Sequence, residues 1–133
     1  MRKLLEEKLI EKIAQKYSLE LILLFGSKIS GKAHRESDFD VAYLSNKALD
    51  LEEEARLIME LSQVFKSENI DLVNLKKAPP LLMKQIFQNH RVLYCSDFRI
   101  YHLYKIYALK RFIEAAPLFR LRDELIEKYF MKT

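Results

Sequence analysis

The sequence predicts an α/β (α+β) domain: a small mixed β-sheet of about four strands flanked by helices, ending in a long helical segment. Three observations predict it. Segments with apolar residues at helical spacing alternate with short strand-like runs. One run, ELILLF (20–25), is apolar after its first residue, as a strand covered on both faces would be. The chain from Asp97 onward carries a helical pattern almost to its end.

Each element can be read in order. Leu5, Leu9, Ile13 and Tyr17 recur every fourth residue with Glu and Lys between them, which predicts a first helix with that stripe inward. ELILLF follows as a strand and ends at Gly26, and the polar stretch SKISGKAHRES is expected to hold a short helix. DFDVAYL is a second strand. Its period of two puts Asp38, Asp40, Ala42 and Leu44 on one face and Phe39, Val41 and Tyr43 on the other. LEEEARLIMELSQVF is an amphipathic helix, with Asp50 as N-cap and Glu53 three residues on. NIDLVNL alternates and is rich in β-branched residues, so it reads as a third strand. Pro79 and Pro80 suit the first turn of a helix through about Gln88, and RVLYC is a short fourth strand. In the last helical segment, Pro117 is expected to kink or break the helix.

The chain's 133 residues are enough for one domain with its own core, and no linker, repeat or low-complexity segment divides it. Residues 1–133 are therefore read as a single domain, with 97–133 as a helical tail and candidate docking surface. No apolar run approaches a membrane span, and the N-terminal segment mixes acids among its leucines, unlike a signal peptide. A single cysteine, Cys95, cannot form an internal disulfide and fits a cytoplasmic protein; its expected role is a small buried residue. Residues 1–34 carry seven Lys/Arg against four acids, residues 35–71 four against ten, and residues 72–133 twelve against five. An acidic middle between basic flanks suits a cation or a basic partner better than bulk nucleic-acid binding.

Both glycines of the chain fall in FGSKISGKAHRESDFDVAYL (25–44). A strand that ends in Gly-Ser before a helix offers backbone N–H groups and the positive end of a helix dipole, a site for phosphate. Gly26 allows close backbone approach, Ser27 adds a hydroxyl, and Lys28 adds a cation. Asp38 and Asp40 share a strand face about 6.6 Å apart, a spacing at which two carboxylates can grip Mg²⁺. Asp71, isolated among apolar neighbours in NIDLVNL, is a third candidate if its strand lies beside DFDVAYL. Three acids can hold one or two Mg²⁺ ions for displacement at phosphorus, or Asp71 can serve as general base.

Gly26-Ser27, ten residues, then Asp38-Phe39-Asp40 resembles the G-S-x10-D-x-D pattern of the nucleotidyltransferase superfamily that includes DNA polymerase β. The short length and the flanking FGS and SDFD are similar to the minimal nucleotidyltransferase (MNT) group, in particular the antitoxins of HEPN/MNT toxin–antitoxin pairs. The resemblance spans nearly the whole chain. It implies a nucleotidyltransferase-like fold and a Mg²⁺-dependent protein adenylyltransferase that moves AMP from ATP to a tyrosine of a partner HEPN RNase toxin, neutralising it. It also implies that Gly26 and Ser27 bind the triphosphate, with Lys28 beside them, that Asp38 and Asp40 bind metal, and that Asp71 is the third carboxylate. Many relatives have Arg where this chain has Lys28, which keeps the charge and loses the bidentate fork; Ile29 replaces a residue that is often small.

Two other functions compete with this one. One is a non-catalytic antitoxin that keeps the fold and neutralises its partner by binding and covering its active site; the other is a nucleotidyltransferase acting on a small-molecule acceptor, for which enzymes usually need an added domain. His34 and Arg35 read as exposed loop residues. His90 and His102 stand isolated, with no cluster to suggest zinc. Tyr101, Tyr104, Ala108 and Phe112, with Tyr107 adjacent, are expected to lie mostly against the sheet, and Lys110, Arg111, Arg120 and Arg122 to form a basic rim. No direct contact with nucleic acid and no membrane association is expected.

Overall fold

The apolar run that predicted a doubly covered strand sits in the interior of the sheet. The structure is a computed structural model that describes residues 2–26 and 39–130. Four strands are formed among them: β1 (Leu19–Phe25), β2 (Phe39–Ser45), β3 (Ile70–Asn74) and β4 (His90–Cys95). Their order across the sheet is β3-β2-β1-β4. β1 runs antiparallel to both β2 and β4, whereas β2 and β3 are parallel, so the sheet is mixed. The parallel pair needs a crossover, and α2 (Leu51–Phe65) supplies it.

Alternation along β1 builds two cores. Ile22 and Leu24 join Val41 and Tyr43 on one face, covered by α1 (Arg2–Lys16) and α2. Leu21, Leu23 and Phe25 join Ala42 and Leu44 on the other face. There they are covered by α3 (Pro80–Gln88) and by α4 (Phe98–Phe130), which reaches the core through Ala108. The expected division of β2 into two faces therefore holds for residues 39–44; Asp38 lies outside the described residues, as does the short helix expected in 27–37.

Local chemistry sets the helix boundaries. The Asp50 side chain accepts from Glu53 N at 2.7 Å, and Asp50 N donates to Glu53 Oε1 at 3.2 Å, which completes the predicted capping box of α2. Lys66 closes that helix in the left-handed region at φ 53°. Pro80 occupies the first turn of α3, as expected.

Three expectations are corrected. The buried line of α1 and the turn after it is Ile10, Ile13, Ala14 and Tyr17, while Leu5 and Leu9 are exposed, so the stripe was read on too narrow a set of positions. Cys95 is partly rather than fully buried. At Pro117 the helix is not broken: α4 continues for 33 residues, about 50 Å at 1.5 Å per residue.

Candidate functional site

The ends of the four strands bring residues from distant parts of the chain into one row. Asp71 of β3 is in register with Asp40 of β2, Asp40 with Phe25 of β1, and Phe25 with His90 of β4. Residues in register share a face, so the row lies on the side covered by α3 and α4. Adjacent strands are about 4.8 Å apart, which places the backbones of Asp40 and Asp71 close enough for both carboxylates to serve one cation. Asp40 is half-buried and Asp71 exposed.

Gly26 follows Phe25 at the end of β1 with φ +83°, a conformation that favours glycine. A Cβ there would overlap Asp40 Oδ2 and lie 2.9 Å from Asp40 Cγ. The glycine thus does two things: it turns the chain, and it leaves the space that the Asp40 carboxylate fills. The start of β2 is fixed from the other side as well. Phe39 N donates to Asn69 O at 2.8 Å, and the Phe39 ring stacks on Phe65 with centroids 4.8 Å apart.

Of the residues singled out from sequence, the structure brings together Gly26, Asp40 and Asp71. Ser27, Lys28 and Asp38 lie outside the described residues, as do His34 and Arg35. Among the described residues no three His, Cys, Asp or Glu side chains form a metal-holding group. Asp40 and Asp71 are hard oxygen donors on one face, and their chemistry fits Mg²⁺.

Sequence reasoning gave His90 no role beyond the absence of a metal cluster around it, and the structure ties it into the fold. Its Nδ1 lies 3.2 Å from Phe87 O and its Nε2 2.6 Å from Tyr101 Oη. A ring nitrogen facing a carbonyl must donate, so Nε2 accepts from the tyrosine hydroxyl. Burial holds the imidazole below its ordinary pKa, and Lys105 adds to the effect, against opposing backbone hydrogen bonds from Phe87 and Ile86. The pair ties α4 to the strand end opposite Asp71 in the row. The one available sequence signal was that His90 stands where α3 gives way to a strand.

Residues 7–99 match the family described as polymerase beta, nucleotidyltransferase. The chain is 35% identical over 95 residues to the protein adenylyltransferase MntA of Shewanella oneidensis, covering 71% of this chain and 68% of that protein. A crystal structure of a toxin–antitoxin with AMP-PNP contains a chain that aligns with TM-score 0.76 at 28% identity, over 90% of this chain and 98% of the other. The complex of a tri-AMPylated Shewanella oneidensis HEPN toxin with its MNT antitoxin aligns with TM-score 0.72 over 93% and 98% of the two chains; at 24% identity it bears on the fold alone.

Proposed function

From its membership of the polymerase beta-type nucleotidyltransferase family, we propose that this chain is an antitoxin that transfers AMP from ATP to a tyrosine hydroxyl of a HEPN-type RNase toxin and so neutralises it. The observation that carries the reading is the in-register pair Asp40–Asp71 beside a glycine turn that only an unsubstituted Cα fits. The similarity to a protein adenylyltransferase, and to a chain of a toxin–antitoxin crystallised with AMP-PNP, an analogue of ATP, supports the choice of nucleotide and reaction.

Asp40 and Asp71, with Asp38 from the same motif, would hold Mg²⁺, which when bound would neutralise charge developing on the phosphates. The turn at Gly26, with Ser27 and Lys28 following it, cradles the triphosphate. The acceptor hydroxyl approaches from the exposed side of Asp71, on the edge strand β3, where that carboxylate completes the metal set or takes the hydroxyl proton. The tyrosine oxygen bonds to the α-phosphorus as the bond to the bridging oxygen breaks, and diphosphate leaves. Positioning of the two reactants does most of the catalytic work.

The test is an Asp40→Asn protein incubated with ATP, Mg²⁺ and a HEPN-type RNase toxin. Mass spectrometry should find AMP on a tyrosine of that protein with wild type and none with the variant. Full neutralisation of the toxin by Asp40→Asn at equal expression would mean that occlusion is sufficient and would displace the enzymatic reading. Nucleotide binding should also depend on the metal: calorimetry with ATP should show much weaker binding in EDTA than in Mg²⁺.

A further inference from the structure

The end of the row opposite Asp71 holds a contact that no catalytic step uses. His90 joins three elements at one corner. Its Nδ1–H donates to Phe87 O near the end of α3, its backbone opens β4, and its Nε2 accepts from Tyr101 Oη in the first turn of α4. Rings close around the pair: Phe87 meets His90 edge-on with centroids 5.6 Å apart, and Tyr101 meets Phe98 and His102 at 6.3 and 5.2 Å. Among the described residues this is the only side-chain hydrogen bond from the first two turns of α4 to another helix or strand. Further along, the helix has separate anchors: Ala108 is buried, and Arg111 donates to Ala78 O at 2.7 Å.

The arrangement suits only a neutral ring. With Nδ1 committed to a carbonyl, a second proton must go to Nε2, which then faces the tyrosine hydroxyl as a donor against a donor. The hydroxyl has to turn its own proton away, and the new charge lies among aromatic carbons. The surrounding elements do not offset that charge. From α3 come the backbone carbonyls of Phe87 and Ile86, and from α4 comes the Lys105 ammonium, which repels a second cation. On α4, His102 stands exposed beside Tyr101, and Arg99 is paired with Asp97 just before the helix. Along β4 the next residue is Arg91, and β1 sets Phe25 opposite His90. Among the described residues no carboxylate is set against the imidazole to stabilise a proton there.

We propose that the His90–Tyr101 pair is a proton-operated latch: with the imidazole neutral it pins the first turns of α4 to the corner of α3 and β4, and uptake of one proton from solvent at Nε2 releases them while Ala108 and Arg111 keep the next turns docked. The latch is closed above the ordinary imidazole range, about pH 6.5, and opens as pH falls below it.

The test is hydrogen exchange of the full chain, read as protection factors so that the pH dependence of the exchange chemistry cancels. From about pH 7.5 to about pH 5, the amides of His102 to Tyr107 should lose protection about threefold to tenfold beyond any loss in Leu57 to Val64 of α2. Tyr101→Phe, which lacks the hydroxyl, should show the lower protection already at neutral pH and fall no further. His90→Gln should remove the pH dependence, and His102→Gln should keep it. A fall in wild type shared equally by α2 and α4 overturns the latch, because the effect of acid is then global, and so does no fall at all. A fall that persists in Tyr101→Phe, or that vanishes in His102→Gln, overturns it as well. The comparison of the two helices within wild type decides the matter even where a variant fails to fold.

Discussion

Gly26→Ala is the most direct probe of the site, because two separate effects act at one position. The methyl group meets the Asp40 carboxylate, and the backbone sits at φ +83°, where a side chain costs about 1–2 kcal/mol. The variant should lose that much stability in urea unfolding and lose AMP transfer through the displaced carboxylate. Retained transfer would show that Asp40 has room to move. His90 makes a different prediction. Its folded-state pKa is lowered, so below about pH 6.5 the unfolded chain binds the proton more readily, and the stability it contributes is present above that pH and lost as pH falls. His90→Gln should therefore flatten the decline of the urea midpoint on acidification. An unchanged pH slope would place the imidazole in a more open setting. Gly26, Asp40 and Asp71 were legible in the sequence because each carries a local signal: a turn residue, paired acids, an isolated acid in a strand. His90 was not, since its place in the row is set by strand register between segments 65 residues apart, which no local pattern encodes.

Helix α2 shows an element whose sequence and structure agree at each level. The Asp50–Glu53 box closes its first turn, and Leu57, Leu61 and Val64 face the sheet. Asp50→Ala should cost about 1 kcal/mol, read as a shift of the denaturation midpoint at constant slope, and a null result would mean that packing alone holds the first turn. The remaining helices were read less well, for physical reasons. On α1 every-fourth spacing selected Leu5 and Leu9, but the buried line runs through Ile10, Ile13, Ala14 and Tyr17, and the earlier turns set Lys3, Glu6 and Glu7 beside Val92 and Leu93 of β4, so Leu5 and Leu9 lie off the covered side. Pro117 was expected to kink or break α4, since it lacks an N–H and crowds the preceding turn; the helix nonetheless runs through it. The strands were the most legible elements, because an apolar run or a period of two survives any choice of partner.

At the scale of the whole molecule, the candidate site is assembled from segments that precede the long helix. Three strands bring Gly26, Asp40 and Asp71 together by residue 74, whereas the long helix begins only at Phe98. No helix among the described residues is long and apolar enough to cross a membrane, so the exposed apolar side chains of α4 are not explained by a lipid-spanning role. The central position of β1 carries one more consequence, for synthesis. One edge of that strand pairs with β2 as soon as residue 45 is available, but its other edge waits for β4, at residues 90–95. Until then a growing chain on the ribosome presents LELILLF with unpaired backbone groups, the kind of edge that recruits other strands. A chain released after Asn89, through a premature stop or a nick, should therefore aggregate where the full chain stays dispersed, a difference that sedimentation of the two translation products would register. A monodisperse fragment would mean that α1 and α2 shield the edge without β4. Interrupted translation would then remove this protein from the pool more completely than loss of its last helix alone, because the truncated product would be cleared as aggregate rather than persist in solution.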